Sequence, residues 1–162
     1  MACIGGSAVK ATVLVVDDSP EIQRYLRTLL ELDSYRVIAV GNGYEALEIL
    51  RHQVAEVVLL DMQMPGMDGL EVLRRIQDLC PKVKVIMCSG VDDAEKVCQA
   101  LSLGANAYIV KPVRHLYLSA AVERCLHNLP ATPPKENRNP QLFVMPSPIR
   151  AAHANLLANF KS

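Results

Sequence analysis

The sequence predicts an α/β domain with a doubly wound parallel sheet, and three observations lead there. Short apolar runs at 12–16, 36–40, 57–61, 83–88 and 106–110 are rich in Val, Ile and Leu and too short for comfortable helices. Each run is followed by a segment whose apolar residues recur at helical spacing. Strand-then-helix alternation, repeated five times, is what parallel strands joined by crossover helices require.

The elements follow in order. Residues 1–10 carry Gly5-Gly6-Ser7 and read as a flexible leader. The first strand, Thr12–Val16, ends on Asp17-Asp18. Ser19 and Pro20 then read as the cap and first residue of a helix with Ile22, Leu26, Leu29 and Leu30 on its inner face. Gln23, Arg24 and Arg27 fall on the opposite face. The second strand, Arg36–Val40, leads through Gly41 to Asn42 and Glu45, spaced like a capping box, with Ala46, Leu47 and Leu50 turned inward. The third strand, Val57–Asp61, meets a Pro/Gly-rich loop; Asp68 and Glu71 repeat the cap pattern before Leu70, Leu73 and Ile76. Pro81 ends that helix, and Val83–Cys88 is the fourth strand, followed by Ser89-Gly90. Asp92-Asp93 open a fourth helix with Val97 and Leu101 inward and Gly104 as its stop. Asn106–Val110 is the fifth strand, ending on Lys111-Pro112. The fifth helix, from about Val113 to about Asn128, carries Leu118, Ala121, Val122 and Cys125 as its stripe. The expected topology is flavodoxin-like (βα)5 with strand order 2-1-3-4-5. It sets the first and third strands side by side at the switch point, where ligands bind in such sheets.

Composition fits this reading. The 162 residues are 51% hydrophobic and 21% charged, enough for one domain with a core. Seventeen basic residues balance seventeen acidic ones, so whole-chain charge argues for neither nucleic acid nor an anionic membrane. No apolar run reaches membrane-spanning length and no signal peptide is visible. Five scattered cysteines without a Cys-x-x-Cys pair fit a reduced, cytoplasmic protein, with Cys88 and Cys125 as small core residues. The four histidines have no zinc-ligand spacing.

The chemistry gathers at the strand ends. The predicted topology brings Asp17, Asp18, Asp61, Ser89 and Lys111 to one edge of the sheet. An isolated Asp before a turn is an ordinary cap, but three clustered carboxylates repel unless one holds a proton or a cation intervenes. Carboxylate, carbonyl and water oxygens suit Mg²⁺, with Mn²⁺ as the alternative. Beside such a cation Asp61 is a nucleophile towards a phosphoryl group, already ionised, with Lys111 and the Ser89 hydroxyl placed to meet the phosphoryl oxygens. Met62, Met64 and Met67 read as loop packing rather than a ligand set.

Several pieces together are similar to the receiver domain of two-component response regulators, of the single-domain chemotaxis type. They are Val16-Asp17-Asp18-Ser19, the run Leu60-Asp61-Met62-Gln63-Met64-Pro65-Gly66-Met67-Asp68-Gly69, Ser89, Tyr108, and Lys111-Pro112. The resemblance covers roughly residues 10–128. It implies that Asp61 accepts phosphate from a sensor histidine kinase or a histidine phosphotransfer protein. It implies Mg²⁺ held by Asp18, Asp61 and the backbone carbonyl of Gln63, with Asp17 acting mostly through water. It implies that Lys111 pairs with Asp61 and then with the phosphoryl group, and that Ser89 and Tyr108 move together as the switch. Tyr108 by its alternation fits a plain core residue as well. The movement re-forms the surface of the fourth helix, fifth strand and fifth helix, to which a downstream protein target binds. The Lys111–Pro112 bond is a candidate cis peptide. Val91 and Gln63, two residues beyond Ser89 and Asp61, flank the path of an attacking water and are expected to tune the phosphate lifetime.

The domain so defined spans 11–129. Pro130, Pro133, Pro134, Pro140, Pro146 and Pro148 mark 130–150 as a linker, and 151–162 as a short tail able to form an Ala/Leu helix only against a surface. The expected function is a phosphorylation-controlled switch acting through protein contact. It is no enzyme beyond self-phosphorylation and slow loss of its own phosphate, is a monomer or a phosphorylation-linked dimer, and binds neither nucleic acid nor membrane directly. The alternatives are the N-terminal part of a longer regulator and a phosphate-independent adaptor. An aspartyl phosphatase is disfavoured, because Gln63 stands where an acid/base Asp is expected.

Overall fold

Side chains on a strand alternate between the two faces of its sheet, so a sheet that is apolar on both faces must be covered on both. Val13, Val15, Val57, Leu59, Ile86, Cys88, Ala107 and Ile109 pack into one cluster, and Leu14, Val16, Val58, Leu60, Val85, Met87 and Tyr108 into the other. The structure, a computed structural model, describes residues 8–52, 55–90, 94–129 and 142–144. Its elements are β1 (Thr12–Val16), α1 (Pro20–Leu32), β2 (Arg36–Val40), α2 (Gly43–His52), β3 (Val57–Asp61), α3 (Gly69–Leu79), β4 (Lys84–Ser89), α4 (Ala94–Ser102), β5 (Ala107–Val110), α5 (His115–His127) and β6 (Leu142–Val144). The sheet order is β2-β1-β3-β4-β5-β6, with the first five strands parallel and β6 antiparallel to β5. The expected 2-1-3-4-5 arrangement is therefore present, with one strand added.

Helices α1 and α5 cover the first face through Leu26, Leu30, Leu118, Ala121, Val122 and Cys125. Helices α2, α3 and α4 cover the second through Ala46, Leu47, Leu50, Val72, Leu73, Ile76, Ala100 and Leu101. Full burial of a Leu or Ile side chain contributes about 1.5–3 kcal/mol, so these stripes hold helices that would be marginal alone. Local chemistry sets where they begin. Ser19 Oγ accepts from the N–H of Ile22, with Pro20 at the first helical position. Asn42 Oδ1 accepts from the N–H of Glu45, whose carboxylate reaches back to the N–H of Gly41 rather than that of Asn42. Asp68 Oδ1 accepts from the N–H of Glu71. Gly104 follows α4 with φ +106°, a conformation that a side chain at Cβ disfavours.

Some expected boundaries move for identifiable reasons. Helix α5 starts at His115 rather than Val113, because Val113 is buried and its carbonyl accepts from the Tyr25 hydroxyl at 2.7 Å. Strand β4 starts one residue late, since the Val83 N–H closes a turn onto Cys80. Leu70 is only partly buried, and Val72 takes a place in the α3 stripe. Residues Asp92, Asp93 and Val91 lie outside the described residues.

Two terminal expectations change. Lys10, placed in a flexible leader, is anchored: its ammonium meets Glu123 Oε1 on α5 at 3.0 Å and lies over the Tyr35 ring. The stretch 130–150, read as a linker, carries strand β6 at Leu142–Val144, which borrows its pairing from the open edge of β5. A strand whose partners lie more than thirty residues back has no local period to betray it. The remainder of 130–150, all of 151–162 and residues 1–7 lie outside the described residues.

Candidate functional site

The parallel register decides what meets at the sheet edge. Val16 lies opposite Leu60, so the next residues, Asp17 and Asp61, emerge side by side. Asp61 pairs with Cys88, and Ser89 with Val110, which brings Ser89 and Lys111 to the same edge. Oxygens of Asp17, Asp18 and Asp61 all lie within 4.8 Å of one another. Asp17 is 2% exposed and Asp61 6%, whereas Asp18 faces solvent. Two charges are thus held out of water, and one remains open to exchange ligands.

Lys111 joins them. Its ammonium is 2.7 Å from Asp17 Oδ2 and 3.4 Å from Asp61 Oδ1. The pair with Asp61 that the resemblance implies is present, and Asp17 is a second and closer partner. Asp17 is fixed further: its Oδ1 accepts from the N–H of Ser19 at 2.9 Å, and its carbonyl from the Gln23 amide at 2.7 Å. Asp61 is held less firmly, accepting from the N–H of Gln63 at 3.3 Å. Burial raises the Asp61 carboxyl above its ordinary range; Lys111 pulls it back and Asp17 pushes it up again. Burial works against the Lys111 charge, but Asp17 and Asp61 outweigh it and raise the ammonium above its usual value. The pocket carries an excess of negative charge that one lysine does not cancel. A hard divalent cation bound by oxygens fits that donor set.

The supporting loop is stitched to the sheet. The N–H of Met62 donates to Cys88 O at 2.9 Å, and that of Gly69 to Met62 O at 3.1 Å. A Cβ at Gly69 would stand 2.4 Å from Asp61 O and 2.7 Å from Met62 Cα, so only glycine lets the start of α3 close onto the Asp61 backbone. Met62, Met64 and Met67 are buried, as expected of loop packing. A groove of about 480 Å³ runs beside this loop, lined by Met62, Gln63, Met64, Pro65, Asp68, Leu70 and Lys96.

Ser89 is fully buried at the end of β4, and its carbonyl accepts from the N–H of Lys111 at 2.7 Å. Tyr108, 1% exposed, lies in the cluster with Met87 and Leu101. The Lys111–Pro112 bond is cis. Asp17, Asp18, Asp61, Ser89 and Lys111 therefore fall at one edge of the sheet, with Tyr108 behind them. Sequence reasoning missed Gln23, Tyr25 and Gly69. Periodicity places Gln23 on the outer face of α1, yet its amide turns to Asp17 O and Val40 O and ties the ends of β1 and β2. Tyr25 ties α1 to the segment just after Lys111. For Gly69 a signal existed, since glycine at the first residue of a helix calls for a reason of close approach.

Comparison with known proteins agrees with this geometry. Residues 13–123 match the family model described as response regulator receiver domain. The chain is 32% identical over 100 residues to sporulation initiation phosphotransferase F of Bacillus subtilis, covering 62% of this chain and 81% of that protein. It is 35% identical over 125 residues to the transcriptional regulatory protein ZraR of Escherichia coli, covering 75% of this chain but 28% of that protein. It resembles the crystal structure of a CheY-like response regulator receiver domain protein from Methanospirillum hungatei with a TM-score of 0.70 and 30% identity, covering 73% of this chain and 94% of that one. For several of the transcriptional regulators among its relatives, the chain spans half of their length or less.

Proposed function

The chain belongs to the response regulator receiver domain family, and from that premise we propose that Asp61 is the phosphoacceptor of a protein-interaction switch. The observation that carries this reading is the placement of Asp61 at the end of β3, within 4.8 Å of Asp17 and Asp18 and 3.4 Å from Lys111.

In the proposed reaction a carboxylate oxygen of Asp61 attacks the phosphorus of a phosphohistidine on a sensor kinase or histidine phosphotransfer protein. The P–N bond breaks, the imidazole nitrogen takes up a proton, and an acyl phosphate forms on Asp61. No base is required, because Asp61 reacts as the anion. Asp18, Asp61 and the backbone carbonyl of Gln63 would hold Mg²⁺, or Mn²⁺ in its place, with Asp17 acting through water. When bound, the cation supplies positive charge against the equatorial phosphoryl oxygens. Lys111 follows that charge from the carboxylate to the phosphoryl group. Ser89 bonds a phosphoryl oxygen and Tyr108 adjusts behind it, which re-forms the surface of α4, β5 and α5 for a downstream protein target. The chain's own chemistry is then limited to taking up phosphate from small donors and losing it slowly, as a monomer or a phosphorylation-linked dimer. We place it in the cytoplasm, a reading supported by scattered cysteines with Cys88 and Cys125 buried. Among the described residues no helix is long and apolar enough to cross a membrane.

A second reading has one observation behind it: the transcriptional regulators among the relatives are much longer than the matched region. In that setting the same switch would control an effector region that binds nucleic acid.

The test is intact mass after incubation with Mg²⁺ and acetyl phosphate. One added phosphate, lost in Asp61→Asn and without Mg²⁺, is the expected result. No adduct, with Mg²⁺ binding confirmed, would leave a phosphate-independent adaptor.

A further inference from the structure

The five parallel strands alone would leave β5 as a sheet edge, with a row of backbone N–H and C=O groups facing outward. In this chain that edge is covered. Leu142–Val144 pair with it antiparallel, with Leu142 opposite Ile109, Phe143 opposite Tyr108 and Val144 opposite Ala107. An extended segment seated on the edge shows what that edge accepts: main-chain pairing with an antiparallel strand.

We propose that the outer edge of β5 is a strand-accepting interface for an extended segment of the downstream target, and that Leu142–Val144 occupy it until displaced. This deepens, and rests on, the reading of α4, β5 and α5 as the switched surface. The seated strand is short: it makes three residue pairs with β5, whereas β1 makes five with β2. Its hold comes from the covalent tether, which raises its local concentration to the order of millimolar and sets a threshold that a target must exceed. The edge is also close to the chemistry. Lys111, which bridges Asp17 and Asp61, is two residues beyond Ile109, and its N–H is bonded to Ser89 O. A shift of that end of β5 reaches the β6 pairing through a single strand.

The experiment uses the full chain and a variant carrying Leu142→Pro and Phe143→Pro. Adjacent residues of a strand point their backbone groups to opposite sides, so one of these two prolines must break the pairing with β5. The probe is a fluorescent peptide of residues 139–147, read by anisotropy beside a scrambled control. The variant is expected to bind it at least about tenfold more tightly than the wild type, because the edge no longer has to be vacated first. Amide signals of Ala107–Val110 are expected to shift with it. Equal affinity for both proteins, or shifts elsewhere, would overturn the proposal. A variant that dimerises and is not dissociated by the peptide would assign the edge to a second copy of this chain and overturn the target assignment. If the variant loses amide protection in β1 and β3, the wild type carries the test: exchange in Leu142–Val144 must be at least about tenfold faster than in Val57–Leu60, and equal protection refutes displacement. The peptide measurement needs no phosphoryl group, so failure of Asp61 to take an adduct would leave it readable.

Discussion

Gly69→Ala puts the close approach beside Asp61 to a direct test. The added Cβ would lie 2.4 Å from Asp61 O, 2.7 Å from Met62 Cα and 3.1 Å from Met62 O. Carbon contacts are favourable at about 3.5–4.0 Å, so the helix start or the loop must give by about 1 Å. The obstructing atoms are backbone, and that backbone is bonded to Cys88 O and to the N–H of Gly69 itself. Overpacking costs about 1–3 kcal/mol, and weakening one such hydrogen bond adds about 0.5–1.5 kcal/mol. Alanine recovers at most about 1 kcal/mol in helix propensity. The net expectation is a loss of about 2 kcal/mol. With an m-value of about 2 kcal/mol/M, the urea midpoint falls by about 1 M. Phosphate uptake from acetyl phosphate should slow as well, since the displaced carbonyl belongs to Asp61. Gly90→Ala is the control: a Cβ there meets no atom within 4 Å, and stability should stay within about 0.5 kcal/mol of the wild type or rise slightly. A Gly69→Ala midpoint equal to the wild type would refute the argument from close approach.

Other outcomes follow from the same structure. Burial raises the Asp61 carboxyl, so its ionised form weighs against folding; the stability linked to it is present below about pH 3.9 and lost as pH rises through the raised value. Asp61→Asn should therefore raise the melting temperature at pH 7 without Mg²⁺, and added Mg²⁺ should narrow the gap; a lower melting temperature would contradict this. Asp68→Ala removes the cap on the N–H of Glu71 and should cost about 1 kcal/mol in a urea titration. Burial pushes the Cys88 thiol up to about 12, so iodoacetamide at pH 8 should modify exposed Cys98 and spare Cys88 until the protein unfolds, as read by peptide mapping. Cys88, Tyr35 and Lys111 are all raised in the folded state. Each contributes stability in full below its unfolded value and loses it above, so the melting temperature should decline steadily above about pH 8.5.

Much of this molecule can be read along the chain, because its determinants are local. Val57–Leu60 announce a buried strand by composition, and Ser19, Asn42 and Asp68 announce helix starts through bonds to residues three positions on. Parallel order then carries Asp17, Asp61, Ser89 and Lys111 to one edge, since a strand end is a position in sequence as much as in space. The finer geometry depends on distances between segments far apart in the chain. That Lys111 prefers Asp17 to Asp61 is settled by how β1, β3 and β5 lie across the sheet, which no spacing encodes. Gln23 turns inward although helical periodicity puts it outside, its amide donating to Asp17 O and Val40 O at the ends of two strands. The anchoring of Lys10 by Glu123 joins residues 113 positions apart in the chain. Strand β6 is the extreme case. Three residues in a Pro-rich stretch carry no strand signal of their own, and what makes them a strand is the unpaired edge of β5, a property of the folded sheet.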